Sequence, residues 1–521
     1  MQFKSLSHNC YSCIPNMITP SFFVRALFIL SLLAISIINL SNVNRPVLDR
    51  HKFRQTQTAI TSYYIKKDGF KLDYETPVIG KAWSVPFEFP IYQGAVAIFS
   101  STLNLPLDKA GKIISLIFTL LTCFPIFFTL KKLNINRDAI YYSMALFLSS
   151  PVYLYWSGTF MIESAALFFS ICYLYYGTLL FLRNWSNYNL ILFSIFLLLA
   201  LLQKITTALP TLIILLILIL LTSIKPNEFK VRIKFLLKLS LSVIFPLLIA
   251  YLWMRYSDFL KEKNPIGQAL SSSALSGWNY GSIQQRFSMD LWGKVIFIRN
   301  ISKSSFAFFG IFFVFFALFG MRNESIKKVI CIALLLFMLP FFIFTNLHIV
   351  HEYYQFANSI FWTICVGLAI FYICEPYAKK YRLRCFTLLV SFVISNYVFF
   401  EKHYYADKVR EINITNNRTL ELADYLRTHT SENQPIIIYG LDWSSELAYY
   451  AERKSLTLPW QRWDIEAIEN TEKFLKNDNP SSIILCPVSN QNEIHMAIRK
   501  KYPTISATKI QDCEIYLISP K

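Results

Sequence analysis

About eleven apolar runs constrain this chain more than any other feature, because each is long enough to cross a bilayer as a helix of about 17–25 residues. They lie near residues 22–41, 108–131, 138–156, 160–182, 187–203, 206–224, 235–256, 301–320, 326–345, 357–375 and 384–400. Charged residues make up only 16% of the chain, whereas soluble domains carry about 25%. The first run is long enough to span and lacks a small-residue cleavage site, which favours a retained helix over a removed signal. The sequence therefore predicts a polytopic α-helical membrane protein.

The lysines and arginines of the short loops predict the orientation, since positive charge collects on the cytoplasmic side. With the N-terminus inside, the cytoplasmic loops hold Lys131, Lys132, Arg137, Arg183, Lys225, Lys230, Arg232, Lys234, Arg322, Lys327, Lys328, Lys379, Lys380, Arg382 and Arg384. The opposite loops are almost free of such residues, with Lys204 as the exception. This orientation places residues 49–90 outside and makes the apolar stretch 90–104 a short interfacial helix. It also explains the net charge of +19 without a nucleic-acid partner.

Beyond Phe400 the charge rises and short helix and strand patterns alternate. Helices are predicted over 417–430, 444–451 and 490–501, and strands over 435–439, 481–487 and 513–518. We expect a small extracytoplasmic α/β domain over 405–521, after a transmembrane domain over 1–404 whose first outer loop spans 42–107. Cys486 and Cys513 could form a disulfide in such a compartment. Cys10 and Cys13 form a C-x-x-C that no second pair or nearby histidine completes as a zinc set.

The outer stretch from Asp49 to Pro90 gathers charge in an otherwise apolar sequence. Asp49 follows the first span, and such a carboxylate could act as a general base toward an acceptor hydroxyl. Arg54 could bind a phosphate through two hydrogen bonds. The plainer interpretation is that Asp49 pairs with Arg50 or Arg54 in a wet interfacial loop.

Two further acids are candidates. Glu88 stands between Pro86 and Pro90, which hold it on an extended segment and suit it to ligand or metal contact, although it could equally be an exposed acid beside a turn. Glu163 lies at the outer end of a span, where an uncompensated charge is expensive. We therefore expect Glu163 to face a cavity and to pair with a cation, in a role that could be purely structural.

Two later outer loops also carry candidates. His348 and His351 are followed by Glu352 and Tyr353, and the two histidines could bind a phosphate or, together with Glu88, a zinc ion. The loop 257–300 carries aromatic and cationic residues, among them Arg286, that could stack on a sugar and hold a phosphate. Its Trp and Tyr residues could also be ordinary membrane anchors.

Taken in order, these motifs resemble the C-type (GT-C) membrane glycosyltransferases. The resemblance is to the family 39-like bacterial branch related to protein mannosyltransferases and lipid A aminoarabinose transferases. It rests on the acid after the first span, an x-E-x-P-x-Y element ending at Tyr92, the outer H-E-Y-Y run from His351, and the run from His51 to Ala59. That last run is similar to H-x-W-R-Q-x-D-T-A. Phe53 stands where tryptophan is usual and Gln57 where many members have aspartate, which leaves Asp49 as the better base.

The resemblance implies an enzyme that moves a hexosyl or pentosyl group from a polyprenyl-phosphate donor to a lipid, glycan or protein acceptor. Transfer would invert the sugar and occur at the outer face of the bacterial inner membrane, toward a cell-envelope glycan. In this interpretation Asp49 is the base, and the donor phosphate is held by Arg54, Lys204 and Arg286. The residues expected to shape the site are His51, Gln57, Glu88, Tyr92, Glu163, His351, Glu352 and Tyr353. No cofactor is expected except a divalent metal, for which Glu88, His348 and His351 are the candidate ligands.

The main alternative is a transporter or flippase for lipid-linked sugars. Such proteins tend to show inverted repeats and charge near the membrane midplane, whereas the charge of this chain is placed at the outer rim. A non-catalytic scaffold is a second alternative, but it would not need a loop of acids and arginines.

Overall fold

The computed structural model of the protein describes residues 20–223, 229–375, 378–410, 414–458 and 463–518. The Cys10 and Cys13 pair and the loop residue Lys225 lie outside these ranges.

Apolar helices dominate the described chain, as predicted for a polytopic membrane protein. Six of them are long and apolar enough to span a bilayer: Phe22–Leu40, Leu107–Lys132, Glu163–Phe181, Asn187–Thr222, Val231–Lys261 and Glu324–Ile343. Three shorter apolar helices cover Ile91–Leu103, Phe309–Gly320 and Ser359–Cys374. The fold class is confirmed, while the expected count of about eleven spans is not.

The helices before the C-terminal sheet are numbered in chain order. They are α1 Pro20–Leu40, α2 Lys52–Asp68, α3 Ile91–Leu103, α4 Leu107–Leu121, α5 Cys123–Lys132, α6 Arg137–Ser149, α7 Pro151–Trp156, α8 Glu163–Phe181, α9 Asn187–Ser223, α10 Phe229–Lys261, α11 Ser276–Tyr280, α12 Ile283–Arg286, α13 Phe309–Gly320, α14 Glu324–Ile343, α15 Thr345–Val350, α16 Ser359–Cys374 and α17 Ala378–Phe400. Short 3-10 segments cover Gly267–Leu270, Glu352–Ala357 and Ile414–Asn416, and π-type segments cover Asp290–Ser302 and Glu401–Arg410.

Helix α9 contains the two spans predicted over 187–203 and 206–224, and it folds back between them. Lys204 has extended backbone angles, φ −163° and ψ 98°. Near the start of α9, Asn189 donates to the carbonyl of Asn184 at 2.9 Å, and near its end the carbonyl of Thr222 accepts from Arg183 at 3.3 Å. Both ends of α9 therefore lie beside the same turn, and Lys204 sits at the tip of a helical hairpin.

Two other predicted spans are interrupted. The run 138–156 breaks between α6 and α7 because Pro151 excludes the preceding residue from helical geometry, and Ser150 has φ −60° and ψ 133°. The run 301–320 begins within the π-type segment and resumes as α13 after Phe306 and Ala307. Both of these residues have left-handed φ values, 51° and 54°, which a continuous helix does not accommodate.

The stretch after Asp49, predicted as an outer loop, is largely helical. Helix α2 buries a run of polar residues from Gln55 to Thr58 and, further along, the core residues Ala59, Ile60 and Tyr64, so hydrogen bonds and apolar packing both hold it. Thr56 shares a 3.0 Å hydrogen bond with Ser445 in the C-terminal region. Helix α2 therefore lies between the helical bundle and the C-terminal sheet.

The C-terminal region contains a five-stranded sheet in the order β2-β1-β3-β5-β4. Strand β1 is parallel to β2 and β3, and β5 is antiparallel to β3 and β4. The strands are β1 Ile436–Tyr439, β2 Ser455–Thr457, β3 Ser482–Leu485, β4 Ala507–Ile510 and β5 Cys513–Leu517. The helices are α18 Arg418–His429, α19 Glu446–Ala451, α20 Asp464–Glu469, α21 Thr471–Leu475 and α22 Gln491–Lys501. The predicted elements are present, and the short strands β2 and β4 were not predicted.

A disulfide joins Cys486, just after β3, to Cys513 at the start of β5. It forms the pair that the sequence suggested and ties two neighbouring strands of the sheet together.

The loop before α3 extends the edge of this sheet. Ser455 donates to the carbonyl of Pro77 at 3.0 Å, Thr457 to that of Val78 at 2.7 Å, and Gly80 to that of Ser455 at 3.0 Å. The Asn264 amide donates to the carbonyls of Gly80 and its neighbours Ile79 and Ala82. The loop is thus held by backbone pairing on one side and by a buried asparagine on the other.

The close approach of α16 to α6 gives a test of the packing. A Cβ added at Gly367 would lie 2.6 Å from the Cα and 2.7 Å from the backbone nitrogen of Ser143, and backbone atoms cannot move aside as a side-chain tip can. Gly367→Ala should therefore destabilise the protein by about 1–3 kcal/mol, measured as a lower thermal midpoint in detergent. The control is Gly320→Ala, where an added Cβ meets nothing within 4 Å. Equal midpoints for the two variants would contradict this packing.

Candidate active site

Asp49 follows α1 and is held by two hydrogen-bond donors. The Gln55 amide, one turn into α2, donates to its carboxylate, and the Tyr155 hydroxyl also hydrogen bonds to it. Gln55 is itself fixed, because its carbonyl oxygen accepts from the backbone of Phe160 at 3.0 Å. The carboxylate is half-buried.

His51 turns the chain into α2 with a left-handed backbone, φ 52° and ψ 37°. Its ring packs between Trp156 and Tyr353, at centroid distances of 5.6 and 4.9 Å, and lies 5.8 Å from the ring of His351. Burial lowers the pKa of His51, and burial with the nearby positive charges lowers the pKa of His351 to about 3. Both rings are therefore neutral at pH 7, and the positive charge of this region comes from its lysines and arginines.

Arg54 and Glu88 form an ion pair with an N–O distance of 3.0 Å. Arg54 also donates to the Gln57 side chain, and Gln93 donates to the second oxygen of Glu88 at 2.6 Å. The acid predicted to contact a ligand or a metal is thus engaged by side chains on both oxygens.

Glu163 pairs with a cation, as predicted, and that cation is Lys204 at the tip of the α9 hairpin. Their N–O distance is 2.6 Å, and the two side chains are only 5% and 9% exposed. The Lys204 ammonium also lies 3.8 Å from the ring centroid of Tyr354 and 5.3 Å from that of Tyr353. The second oxygen of Glu163 is buried and has no hydrogen-bond partner among the described residues.

Glu352 is paired with Arg50, at 2.9 Å. The Arg50 guanidinium also lies 4.9 Å from the ring centroid of Tyr404 and donates to the carbonyl of His403. Since Arg54 is likewise paired with another acid, the plain interpretation of Asp49 as the partner of these arginines does not describe their main contacts.

Two candidates have other surroundings. Arg286 donates to the carbonyls of Phe342 and Tyr280, and Tyr92 is buried with its hydroxyl on Ser115 and the carbonyl of Gly111. In the ranges that the structure covers, neither side chain contacts the cluster around His51 and Lys204. Tyr92 braces α3 against α4.

The predicted metal ligands do not converge either. His348 is buried with its ring 4.7 Å from that of Phe341, and burial lowers its pKa to about 3, with Lys204 adding to the shift. Among the described residues no three His, Cys, Asp or Glu side chains come together as a metal site would require. A metal at Glu88, His348 and His351 stays a prediction that their placement does not support.

Sequence reasoning missed several residues of this cluster. Gln55, Tyr155 and Tyr354 are ordinary polar or aromatic residues whose spacing carries no signal of their contacts. Arg50 is adjacent to Asp49, and Lys112 acts on Asp49 electrostatically from within a span. A charge inside an apolar helix is expensive, so Lys112 was the residue that the sequence could have revealed.

An apolar helical bundle with paired charges at one mouth and an α/β domain beside it has the architecture of the GT-C membrane glycosyltransferases, and solved structures of that class confirm the fold. ArnT from Cupriavidus metallidurans bound to undecaprenyl phosphate matches with a TM-score of 0.64 and 11% identity, over 94% of this chain and 97% of that one. The Archaeoglobus fulgidus oligosaccharyltransferase in complex with Zn and sulfate matches with a TM-score of 0.56 and 10% identity, over 95% and 73%.

The arabinofuranosyltransferase AftD from Mycobacteria matches with a TM-score of 0.54 and 12% identity, over 96% of this chain and 42% of that one. No protein-family model matches the sequence, and no curated protein matches it significantly. The chain is thus an integral membrane protein with a GT-C fold.

Two variants measure how much the ion pair of Lys204 and Glu163 contributes to stability. Lys204→Met should destabilise the protein by about 3–5 kcal/mol, because it leaves a buried carboxylate uncompensated. The double variant Lys204→Met/Glu163→Gln should recover most of that loss, since no unpaired charge remains. Thermal unfolding in detergent measures both, with Lys327→Met as the control for an exposed pair with Glu324. A double variant as unstable as the single one would contradict the pairing.

Proposed function

We propose that this protein is a glycosyltransferase that moves a sugar from a polyprenyl-phosphate donor to an acceptor hydroxyl, with inversion. The observation that carries the proposal is the collection of buried charges and aromatic rings around His51, Tyr353 and Lys204 at one mouth of a GT-C fold. One match for that fold is a structure that carries undecaprenyl phosphate. No observation favours a transporter.

The donor phosphate is assigned to Arg54 and Lys204. Both cations are largely buried and already positioned by a carboxylate, at 3.0 Å for Arg54 and 2.6 Å for Lys204. Fixed cations in a water-poor site stabilise developing phosphate charge without reorganising at the moment of reaction. The aromatic rings of Tyr353 and Tyr354 beside Lys204 offer surfaces for a sugar. A role for Arg286 in binding the donor phosphate stays a prediction.

Asp49 is proposed as the general base. The acceptor oxygen forms a bond to the anomeric carbon, the bond from that carbon to the phosphate oxygen breaks, and the hydroxyl proton passes to Asp49. The products are the glycosylated acceptor and free polyprenyl phosphate. Gln55 and Tyr155 orient the carboxylate, and attack on the face opposite the phosphate gives inversion.

We place the active site and the region over 405–521 outside the inner membrane, and we keep 1–404 as the transmembrane domain. The Cys486 and Cys513 disulfide supports this side, because disulfides persist in oxidising compartments and are rare in the cytosol.

Asp49→Asn should lower transfer by about 10²–10⁴-fold, the usual contribution of a general base, while the fold stays intact. Purified protein is incubated with a panel of undecaprenyl-phosphate hexoses and pentoses, and release of undecaprenyl phosphate is measured by mass spectrometry. The matched control is Asp73→Asn, an exposed acid in the same outer loop. Asp49→Asn with wild-type rates would remove Asp49 as the base, and no release from any donor by the wild type would refute the proposed function.

The orientation predicts the thiol chemistry of the C-terminal region. In intact spheroplasts of a bacterial host, a membrane-impermeant maleimide should leave Cys486 and Cys513 unmodified until an impermeant phosphine reductant is added, and should then label both. Peptide mass spectrometry identifies the modified residues, and Cys486→Ser/Cys513→Ser serves as the background. Labelling only after the cells are lysed would place the domain in the cytosol.

A further inference from the structure

We infer that a cleft between the membrane helices and the C-terminal region binds an acidic sugar of the acceptor. This inference rests on the proposed function, because it assigns the acceptor side of the same reaction. The outer cleft, as we call it, is bounded by the end of α2, the start of α4, and helices α18 and α19 of the C-terminal region. The residues that carry the argument are Tyr63, Lys66, Lys67, Lys109, Arg427 and Tyr450.

The size of the outer cleft suits a small oligosaccharide. Its volume is ≈ 680 Å³, within the range of about 300–1,000 Å³ typical of ligand sites. Tyrosines contribute to its wall from both sides, with Tyr63 on α2 and Tyr450 on α19. Aromatic faces of this kind pack against the apolar faces of sugar rings and keep a polar tip for hydrogen bonding.

The outer cleft offers two cations that no acid engages in the described ranges. Four cations line it, namely Lys66, Lys67, Lys109 and Arg427, against the two acids Asp108 and Glu452. Lys67 pairs with Glu432 and Arg427 pairs with Asp424, which leaves Lys66 and Lys109 for a ligand. The two acids of the outer cleft are already engaged by tyrosine hydroxyls. Asp108 accepts from Tyr449 at 2.6 Å and from Tyr450 at 2.8 Å, and Glu452 accepts from Tyr63 at 3.2 Å.

Lys109 is the cation most available to a ligand. No ion pair or hydrogen bond of its ammonium is recorded within the described ranges, although it is half-buried in the wall of the outer cleft. Lys66 is exposed, and its one hydrogen bond within the described residues goes to the Ser100 hydroxyl, at 3.1 Å. A carboxylate or phosphate on the ligand would satisfy both lysines through charge-assisted hydrogen bonds.

The inner wall of the outer cleft is the segment that leads to Asp49. Val43 and Asn44 line the outer cleft, a few residues before the proposed base. The Tyr450 hydroxyl accepts from the backbone nitrogen of Val47 at 2.8 Å, and Lys112, one turn beyond Asp108, donates to the carbonyl of Arg45 at 2.6 Å. The segment from Val43 to Asp49 is therefore the stretch of chain between an acceptor in the outer cleft and the proposed base.

The outer cleft lies at membrane level, because the span Leu107–Lys132 begins in its wall. Its ligand could thus reach it as a free glycan or as the head group of a lipid. The shared chemistry is an acidic group on a sugar, and the experiment compares the two sources.

Binding to the protein in nanodiscs is measured by isothermal titration calorimetry without any donor. The free probes are lactose, lactose 1-phosphate and 3′-sialyllactose, and the lipid-anchored probes are lactosylceramide and ganglioside GM3 in the nanodisc. We expect an acidic probe to bind at least one order of magnitude more tightly than its neutral counterpart. Lys109→Glu and Lys66→Glu should each weaken that binding on the order of tenfold.

Lys509→Glu is the matched control, since it makes the same charge change on the exposed strand β4, outside the outer cleft. Thermal midpoints equal to that of the wild type show that each variant is folded. Preference for GM3 over free 3′-sialyllactose identifies a lipid-anchored acceptor, and equal binding identifies a soluble one. The inference is overturned if acidic and neutral probes bind with equal affinity. It is also overturned if Lys509→Glu loses as much affinity for the acidic probe as Lys109→Glu and Lys66→Glu do.

The inference and the proposed function fail separately. Asp49→Asn should keep the full affinity for the acidic probe, because binding does not use the base. Acidic binding that depends on Lys109, in a protein that releases no polyprenyl phosphate from any donor, would uphold the outer cleft and refute the transferase. Transfer activity in a protein whose binding of the acidic probe does not depend on Lys109 would uphold the transferase and refute the outer cleft.

Discussion

Charges with little exposure at one mouth of the bundle have to be paired, and this requirement joins elements that are far apart in the sequence. Three acids pair with cations on other elements: Glu163 on α8 with Lys204, Glu88 before α3 with Arg54, and Glu352 after α15 with Arg50. An unpaired charge at such depth costs several kcal/mol, so the pairs restrict how the hairpin of α9, helix α2 and the loop after α15 can be arranged. The rings of His51, Tyr353 and Trp156 fill the space between the pairs.

Helix α2 transmits this arrangement to the C-terminal region. Its inner positions Gln55 and Gln57 contact the charged cluster, and its outer positions reach α19 through Thr56 to Ser445 and through an ion pair from Lys52 to Glu446 at 2.9 Å. A helix that is polar on several faces is stable only when other elements supply its hydrogen bonds. The outer cleft is a consequence of the same geometry, because α2, α4 and α19 can approach each other only as far as their tyrosines and lysines allow.

The sequence predicted the features that depend on local composition. It did not predict the features that depend on which elements pack against each other. Apolar length predicted most of the helices, and Lys204 was placed in the loop between two spans, where the chain does turn back. The break before Pro151 was not predicted, because the run 138–156 was predicted as one span. Positive-inside counting and strand periodicity indicated the C-terminal fold, including the Cys486 and Cys513 pair. Helix α2 was not predicted because its polar run from Gln55 to Thr58 resembles a loop until its partners are known. Arg286 was expected near the donor on charge alone, yet its guanidinium is committed to backbone carbonyls.

The pairing of the cations also bears on how a phosphate would enter. Arg54 and Lys204 are each paired with a carboxylate, so an incoming phosphate would add negative charge beside cations that are already neutralised. That addition is favourable only if the cations keep donors that the carboxylates do not use. The guanidinium of Arg54 has five N–H donors and Lys204 has three, and their carboxylates take few of them. In the proposed function, the acids would position the cations in advance, and the pairs would still leave hydrogen-bonding capacity for a leaving phosphate.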